Sequence, residues 1–333
     1  MAIGSGLSAQ VAMKKETTYG TRVVPDLFYE FESEGGIRNQ KFLVSRQLRA
    51  GRTFQSSTRR VPTTRDADVT ISGEVPNKGF GSILDLGHGN TVTPAQQAAT
   101  TAYLQTHNWT NDPSKSATIQ VGKPSTDGTV RPFDYLGSML TTLTLNGAVD
   151  DWLKFVAGFN CQDEQTNQTL ATASYPTALE GFHFQQATVT VNGVVQNLTT
   201  GSLVKSIGLD VSRPRNQERF GMRSAATKAT PITNDYSPGS GSIGFEYTDL
   251  VNYGLFTAQT VVPIIFDFTS TSLAGTAIPY RFTATIAAAV FNGTTPQVSG
   301  PDIINYEAPF DILDDGTNPP VKFELMEVRT TAL

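Results

Sequence analysis

Short segments in which apolar and polar side chains alternate, each closed by a turn dipeptide, limit this chain to a small set of folds. In Ala187-Thr188-Val189-Thr190-Val191 the apolar side chains fall on one face of an extended backbone, and Asn192-Gly193 follows, a dipeptide suited to the positive φ values of a tight hairpin. Val194-Val195 is the expected return strand. The pattern recurs at residues 118–121, 139–145 before Asn146-Gly147, 243–247, 264–268, 282–291 before Asn292-Gly293, and 323–328. Side chains on a strand alternate between its two faces, so each run can bury one face in a sheet and leave the other wet. Helical spacing, with apolar residues three to four apart, is confined to residues 78–86 and 250–256. Residues 89–116 and 162–181 are polar and weakly periodic; both read as loops, and the second as a linker. The expectation is a mainly β chain with short flanking helices and long hairpin arms.

Both halves of the chain carry these signals in the same order. Shifted by 172 positions, residues 68–75 lie over 240–247, which pairs Ile71 with Ile243, Glu74 with Glu246 and Val75 with Tyr247; Ile83-Leu84 then lies over Leu255-Phe256. Shifted by 146, residues 136–147 (LGSMLTTLTLNG) lie over 282–293 (FTATIAAAVFNG), and both end in Asn-Gly. Identity is low, but the collinear order of strand, helix, strand, long strand and turn points to a duplicated β domain divided at 1–178 and 179–333. A length of 333 residues accommodates two such domains.

Chemistry finds few footholds. A lone Cys161 can form no intrachain disulfide, and the three histidines His88, His107 and His183 stand in no zinc-binding or nucleophile-activating spacing. His88, between Gly87 and Gly89, reads as an exposed turn residue, and Cys161 as an inert thiol. Asp150-Asp151, Asp163-Glu164 and Asp314-Asp315 are adjacent carboxylates beside turn residues and read as solvated loop charges. Residues 311–316 lack the alternating oxygen ligands and closing Glu of a calcium loop, and Gly79-Phe80-Gly81 lacks the context of a phosphate cradle. The Asn-x-Thr matches at Asn108, Asn167, Asn197 and Asn292 read as chance. No catalytic, cofactor or metal site is therefore expected. The first ten residues lack the apolar run of a secretory signal, and no stretch of about 18 apolar residues occurs. The expectation is a soluble, unsecreted chain.

Charge stands out against this background. The 25 basic and 30 acidic side chains leave a net charge of −5, yet residues 38–65 hold Arg38, Lys41, Arg46, Arg49, Arg52, Arg59, Arg60 and Arg65 with no acidic residue between Glu34 and Asp66. Residues 205–228 repeat the feature with Arg213, Arg215, Arg219 and Arg223 against Asp210 and Glu218. Guanidinium groups bind phosphate, but the aromatic side chains that stack on bases are limited to Phe42 and Phe54 in the first stretch. A feature duplicated with the fold suits assembly. Arg46, Arg49, Arg52, Arg59, Arg60, Arg65, Arg213, Arg215, Arg219 and Arg223 are the expected inter-subunit or inter-ring contacts, meeting carboxylates on neighbouring copies.

Four segments then carry a resemblance: residues 11–21 (VAMKKETTYGT), 59–67 (RRVPTTRDA), 119–124 (IQVGKP) and 295–302 (TPQVSGPD). As a set, and over nearly the whole chain, they resemble the major tail tube proteins of long, non-contractile-tailed (siphovirus-type) bacteriophages. The resemblance implies a structural virion protein and not an enzyme: subunits form rings, rings stack into a hollow tube, and the phage genome passes through the lumen into the host. It implies a tail-tube β-sandwich flanked by a short helix, strands that combine between subunits into a barrel around the lumen, and a long hairpin that reaches the adjacent ring. Inner tubes of contractile phages and type VI secretion tubes are similar. The implied partners are further copies of the chain, a tape measure protein, and tail terminator and tip proteins. DNA passes without sequence-specific binding, no membrane is involved, and the chain is made in the host cytoplasm before joining the virion tail.

Rings of this family usually hold six copies of one domain, so a chain with two copies implies a homotrimeric ring of pseudo-sixfold symmetry, with a homohexamer as the alternative. Arginine and lysine would retard sliding DNA by pairing with phosphate, so the lumen is expected to be acidic on balance and the basic residues 38–65 to be turned away from it. A competing reading is a virion decoration or glycan-binding, adhesin-like β protein, with Tyr103, Trp109 and Tyr135 as its aromatic candidates.

Overall fold

The computed structural model describes residues 4–112, 114–197, 199–222, 226–293, 295–298 and 300–331. The strands of the first half are β1 (Gln10–Lys15), β2 (Leu27–Tyr29), β3 (Ser33–Val44), β4 (Arg60–Glu74), β5 (Ala95–Gln96), β6 (Tyr103–Asn108), β7 (Ala117–Pro124), β8 (Val130–Ala148), β9 (Lys154–Cys161) and β10 (Asp163–Gln165), with helix α1 (Gly81–Gly87) after β4. The second half supplies β11 (Ala187–Val191), β12 (Val194–Val195), β13 (Val204–Ser212), β14 (Gly239–Glu246), β15 (Val262–Gly275), β16 (Ile278–Phe291), β17 (Asn305–Ile312) and β18 (Val321–Glu327), with helix α2 (Val251–Thr257) after β14. Both helices lie where the apolar spacing puts them. All the ladders are antiparallel, as expected of half-buried strands joined by short turns.

The two halves share a pairing plan. In the first, β2–β1–β7–β8 forms one series and β8–β9–β4–β3 the other. In the second, β12–β11–β15–β16 and β16–β17–β14–β13 repeat both series strand for strand. One long strand in each half, β8 or β16, belongs to both series and so passes from one layer to the other. In β8 the passage is made at Gly137, which takes a φ of +61°, and at a bulge between Leu140 and Thr142.

Two joints fuse the halves. Strand β13 pairs with the far end of β8, from Ser206 opposite Ala148 to Ser212 opposite Thr142, and β18 bridges β16 to β6. One sheet therefore runs β3–β4–β9–β8–β13–β14–β17–β16 across the whole molecule. A single hydrophobic cluster underlies it and draws on both halves, with Phe80 packed between Phe155 and Phe282 at ring separations of 5.1 and 5.8 Å.

Several expectations need correction. Asn192-Gly193 is the tight turn expected, with φ of +51° and +77°, but Asn146-Gly147 lies inside β8, where Gly147 is held opposite Ile207. The turn comes later, at Asp150, whose φ is +63°. Strand β16 ends at Phe291 and Asn292 leads into a loop, its N–H donating to Pro309 O at 2.7 Å. By strand pairing, Leu143 corresponds to residue 293, four positions beyond the counterpart that the 146-residue shift gives it, so the shared Asn-Gly is a coincidence. Residues 89–116 are not all loop, since they contain β5 and β6. Asp163 is not a solvated loop charge; it is buried and paired with Arg65 at 2.8 Å.

His88 is fully buried, not exposed. Its ring packs edge-on to Trp109 and Phe323 at 5.1 and 5.2 Å, and Nδ1 lies 2.5 Å from Leu84 O. Burial holds His88 well below the usual imidazole range and His107 down at about 3. Glu327 on β18 shifts the other way. It accepts from Gly79 N–H at 2.8 Å and Gln105 Nε2 at 2.6 Å, and burial pushes its carboxyl up to about 7 from 4.5.

The protonated carboxyl is thus the form the fold favours. Its contribution is complete below pH 4.5 and is lost as the pH rises through about 7, a swing of about 3 kcal/mol. The histidines act in the opposite sense: they stabilise above pH 6.5, and the part due to His107 is lost as the pH falls toward about 3. The difference between Glu327→Gln and the parent chain isolates the carboxyl. The variant is expected to be relatively more stable at pH 8 than at pH 4.5 in urea unfolding; a difference that does not vary with pH would remove Glu327 as the titrating group.

Candidate functional surfaces: an open sheet face and a basic hairpin

The continuous sheet has one dry face and one open face. Inward residues such as Ile71, Ala157, Leu143, Leu209, Ile243 and Ala308 are buried in the core. On the other face, the registers align Ser33, Ser72, Val156, Thr144, Asp210, Ser240 and Asp311 in one row across seven strands. A neighbouring row runs Asn146, Gly208, Ser242, Pro309, and the next Ala148, Ser206, Gly244, Glu307. These rows are small, polar and free of arginine. The charges of the first and third rows are carboxylates, Asp210, Asp311 and Glu307, each on the exposed side of its strand, whereas the second continues from Asn146 through Lys154 to Glu74, the lysine being paired with Glu32 and Asp151 at 3.5 and 3.4 Å. Thr144 Oγ1 donates to Asp210 at 2.5 Å, fixing that carboxylate within the row.

At one end of this sheet, β3 and β4 continue past their neighbours as a hairpin, in which Val44 lies opposite Arg60 and residues 45–59 form the tip. Arg46, Arg49, Arg52, Arg59 and Arg60 are exposed there, together with Leu48 and Phe54. Arg59 Nη1 donates to Gln47 Oε1 at 3.0 Å and Arg60 covers the Phe42 ring at 4.3 Å. Arg46, Arg49 and Arg52 have no side-chain hydrogen bond or ion pair among the described residues. Their charges are available to something outside the subunit.

The second basic stretch is folded quite differently. Arg213, 3% exposed, donates to Gly87 O and Thr110 O at 2.7 Å each and covers the Trp109 ring. Arg215, 6% exposed, grips both oxygens of Asp112 at 2.6 and 2.7 Å. Arg219 donates to Thr230 O, and Lys228 is buried between Asp66 and Asn160. Arg65 likewise forms a two-pronged pair with Asp163, at 2.8 and 2.9 Å. These side chains tie the subunit to itself, and Arg213 and Arg215 have no free surface to offer a neighbour. Arg223 lies outside the described residues.

Sequence reasoning missed the open face, because Ser, Thr, Gly and Asp on a strand have the same composition as a loop. Of the aromatic candidates for a glycan site, Trp109 and Tyr135 are buried and Tyr103 is half-buried on β6, so they form no exposed cluster. Cys161 is buried and its thiol is pushed up to about 12 by burial. No group of three or more His, Cys, Asp or Glu among the described residues is placed to hold a metal ion, and no helix among them is long and apolar enough to cross a membrane.

A search of curated proteins finds no match. A family model described as "Phage tail tube protein" matches residues 6–312, nearly the whole chain and both halves of the fold. A match of that extent on a mainly β fold establishes that this chain belongs to the phage tail tube protein family, structural proteins that assemble into the tube of the virion tail.

Proposed function

We propose that three copies of the chain close into a ring in which the halves 1–178 and 179–333, two versions of one domain, alternate around a lumen lined by the open sheet face. Rings stack through the β3–β4 hairpins, and the phage genome is delivered to the host through the channel. The observation that carries this reading is the β13–β8 joint inside the chain. Strand β3 holds in the first half the place that β13 holds in the second, yet its outer edge has no partner among the described residues. An unpaired edge is a template for another strand. Repeating the joint around an axis sets the β3 edge of one copy against the chain that follows β16 beyond Phe291 in the next, the counterpart of 142–148, and closure pairs that edge. With two domains per chain, three chains give six.

The row of Thr, Ser, Asp and Gly then faces the passing DNA. Carboxylates repel phosphate and small hydroxyls neither hold nor obstruct it, so the duplex can slide. The tape measure protein in the lumen and the terminator and tip proteins at the tube ends are the partners this reading assigns, and synthesis belongs to the host cytoplasm. The test is cryo-electron microscopy of tubes assembled from the purified chain. Rings of threefold symmetry with six similar wedges are expected; true sixfold symmetry at side-chain resolution would establish the homohexamer instead.

A further inference from the structure

The basic hairpin and an acidic groove lie at opposite ends of one strand. Strand β4 runs from Arg60, at the base of the hairpin, to Glu74, a span of about 45 Å for its 15 residues. Around Glu74 the surface opens into a groove of about 420 Å³ walled by Phe31 and Trp152 and carrying Glu30, Glu32, Glu74 and Glu180. Its one lysine, Lys78, is turned to Thr177 O and Ala178 O at 2.6 and 3.0 Å. Burial, reinforced by Glu32 and Glu30, holds the Glu74 carboxyl above its usual range against the opposing charge of Lys154, which also reaches Glu32 at 3.5 Å, so among the described residues the four carboxylates have only Lys78 and Lys154 near them.

The chain itself contains the complement. Residues 35–65 carry no acidic side chain, and the tip presents Arg46, Arg49 and Arg52, unpaired among the described residues, beside exposed Leu48 and Phe54. Guanidinium groups pair with carboxylates in two-pronged fashion and stack on aromatic faces, so a groove with both features suits arginine better than lysine. A tip and a groove at opposite ends of the same strand cannot meet within one molecule. Between molecules they make a head-to-tail contact, which extends without limit along one axis.

We propose that the groove walled by Phe31 and Trp152 is the socket for the arginine tip of the β3–β4 hairpin of a copy in the adjacent ring. The inference rests on the tube reading and assigns its axial contact. It also gives the tube a polarity, since every ring offers tips on one face and sockets on the other.

The test uses the full chain and electron microscopy of its assemblies. Glu30 and Glu32 are exposed, so Glu30→Lys with Glu32→Lys is expected to leave rings intact and to cut tube formation about tenfold. The triple change Arg46→Glu, Arg49→Glu, Arg52→Glu is expected to do the same, and combining the two sets is expected to restore tubes by exchanging the charges. A Glu30→Cys, Arg49→Cys chain is expected to give an oxidised ladder of linked subunits in tubes, against a background in which Cys161 is buried. Wild-type tube yield from the lysine variant, or tubes of the double-cysteine chain without a ladder, would overturn the socket and leave the tube reading standing. A parent chain that makes neither rings nor tubes would overturn both.

Discussion

Arginine at Thr144, Asp210 and Ser240 together is expected to leave tails of normal length and to slow genome ejection at least tenfold, with the deficit shrinking as salt is raised. The three positions are consecutive members of the row that crosses the open face, on β8, β13 and β14. Each is exposed or half-buried on a strand whose other face is in the core, so the added side chains extend away from the packing. The change removes one carboxylate and adds three cations per chain. Each phosphate neutralised contributes a salt slope of about 0.9, and in the proposed tube a duplex would meet the row in every ring, so even weak pairing would accumulate into drag. Asp210→Asn alone removes the charge without adding a cation and should be far milder. Ejection followed by dye uptake, at low and high salt, decides the matter. Triple-arginine virions that eject at the parental rate at low salt would show that the row does not face the DNA.

Which parts of this structure could be read from the sequence follows from which interactions are local. Strand β11 alternates Val189 and Val191 inward with Thr188 and Thr190 outward, and one-sided burial makes that pattern visible. Strand β6 defeats the same test, because its inward positions are Gln105 and His107. They are tolerable there because Glu327, more than 200 residues away, accepts from Gln105. His88 looked like a turn residue beside two glycines, but it is enclosed by Trp109 and Phe323. Gly147 sits in a strand because Ile207, from the other half, pairs across from it. In each case the deciding partner is remote. The same holds for the candidate surfaces: the arginine content of the hairpin was plain, whereas the polar row becomes a surface only when the registers of seven strands are known.

Replacing residues 45–59 by Asn-Gly is expected to abolish tube growth while preserving the folded subunit. Val44 and Arg60 are directly opposed, so a two-residue turn can close the hairpin without moving β3 or β4. The excised tip contributes nothing to the core: Leu48 and Phe54 are exposed, and shortening the loop lowers its closure entropy cost by about 2 kcal/mol. Melting temperature should hold or rise, while tube yield should fall at least a hundredfold, further than for the charge-reversed tip, because each proposed axial contact loses Leu48, Phe54 and the hairpin's reach as well as its arginines. Tubes of normal length from this variant would remove the hairpin from the stacking contact. The second basic stretch makes the control, since composition alone treats the two alike. Arg213→Ala leaves Gly87 O and Thr110 O without their donor and uncovers Trp109, which is expected to cost about 2–4 kcal/mol of folding stability, seen as a lower urea midpoint. If the hairpin makes the proposed contact between subunits, and the second stretch the ties within the subunit, the two variants should fail in opposite assays.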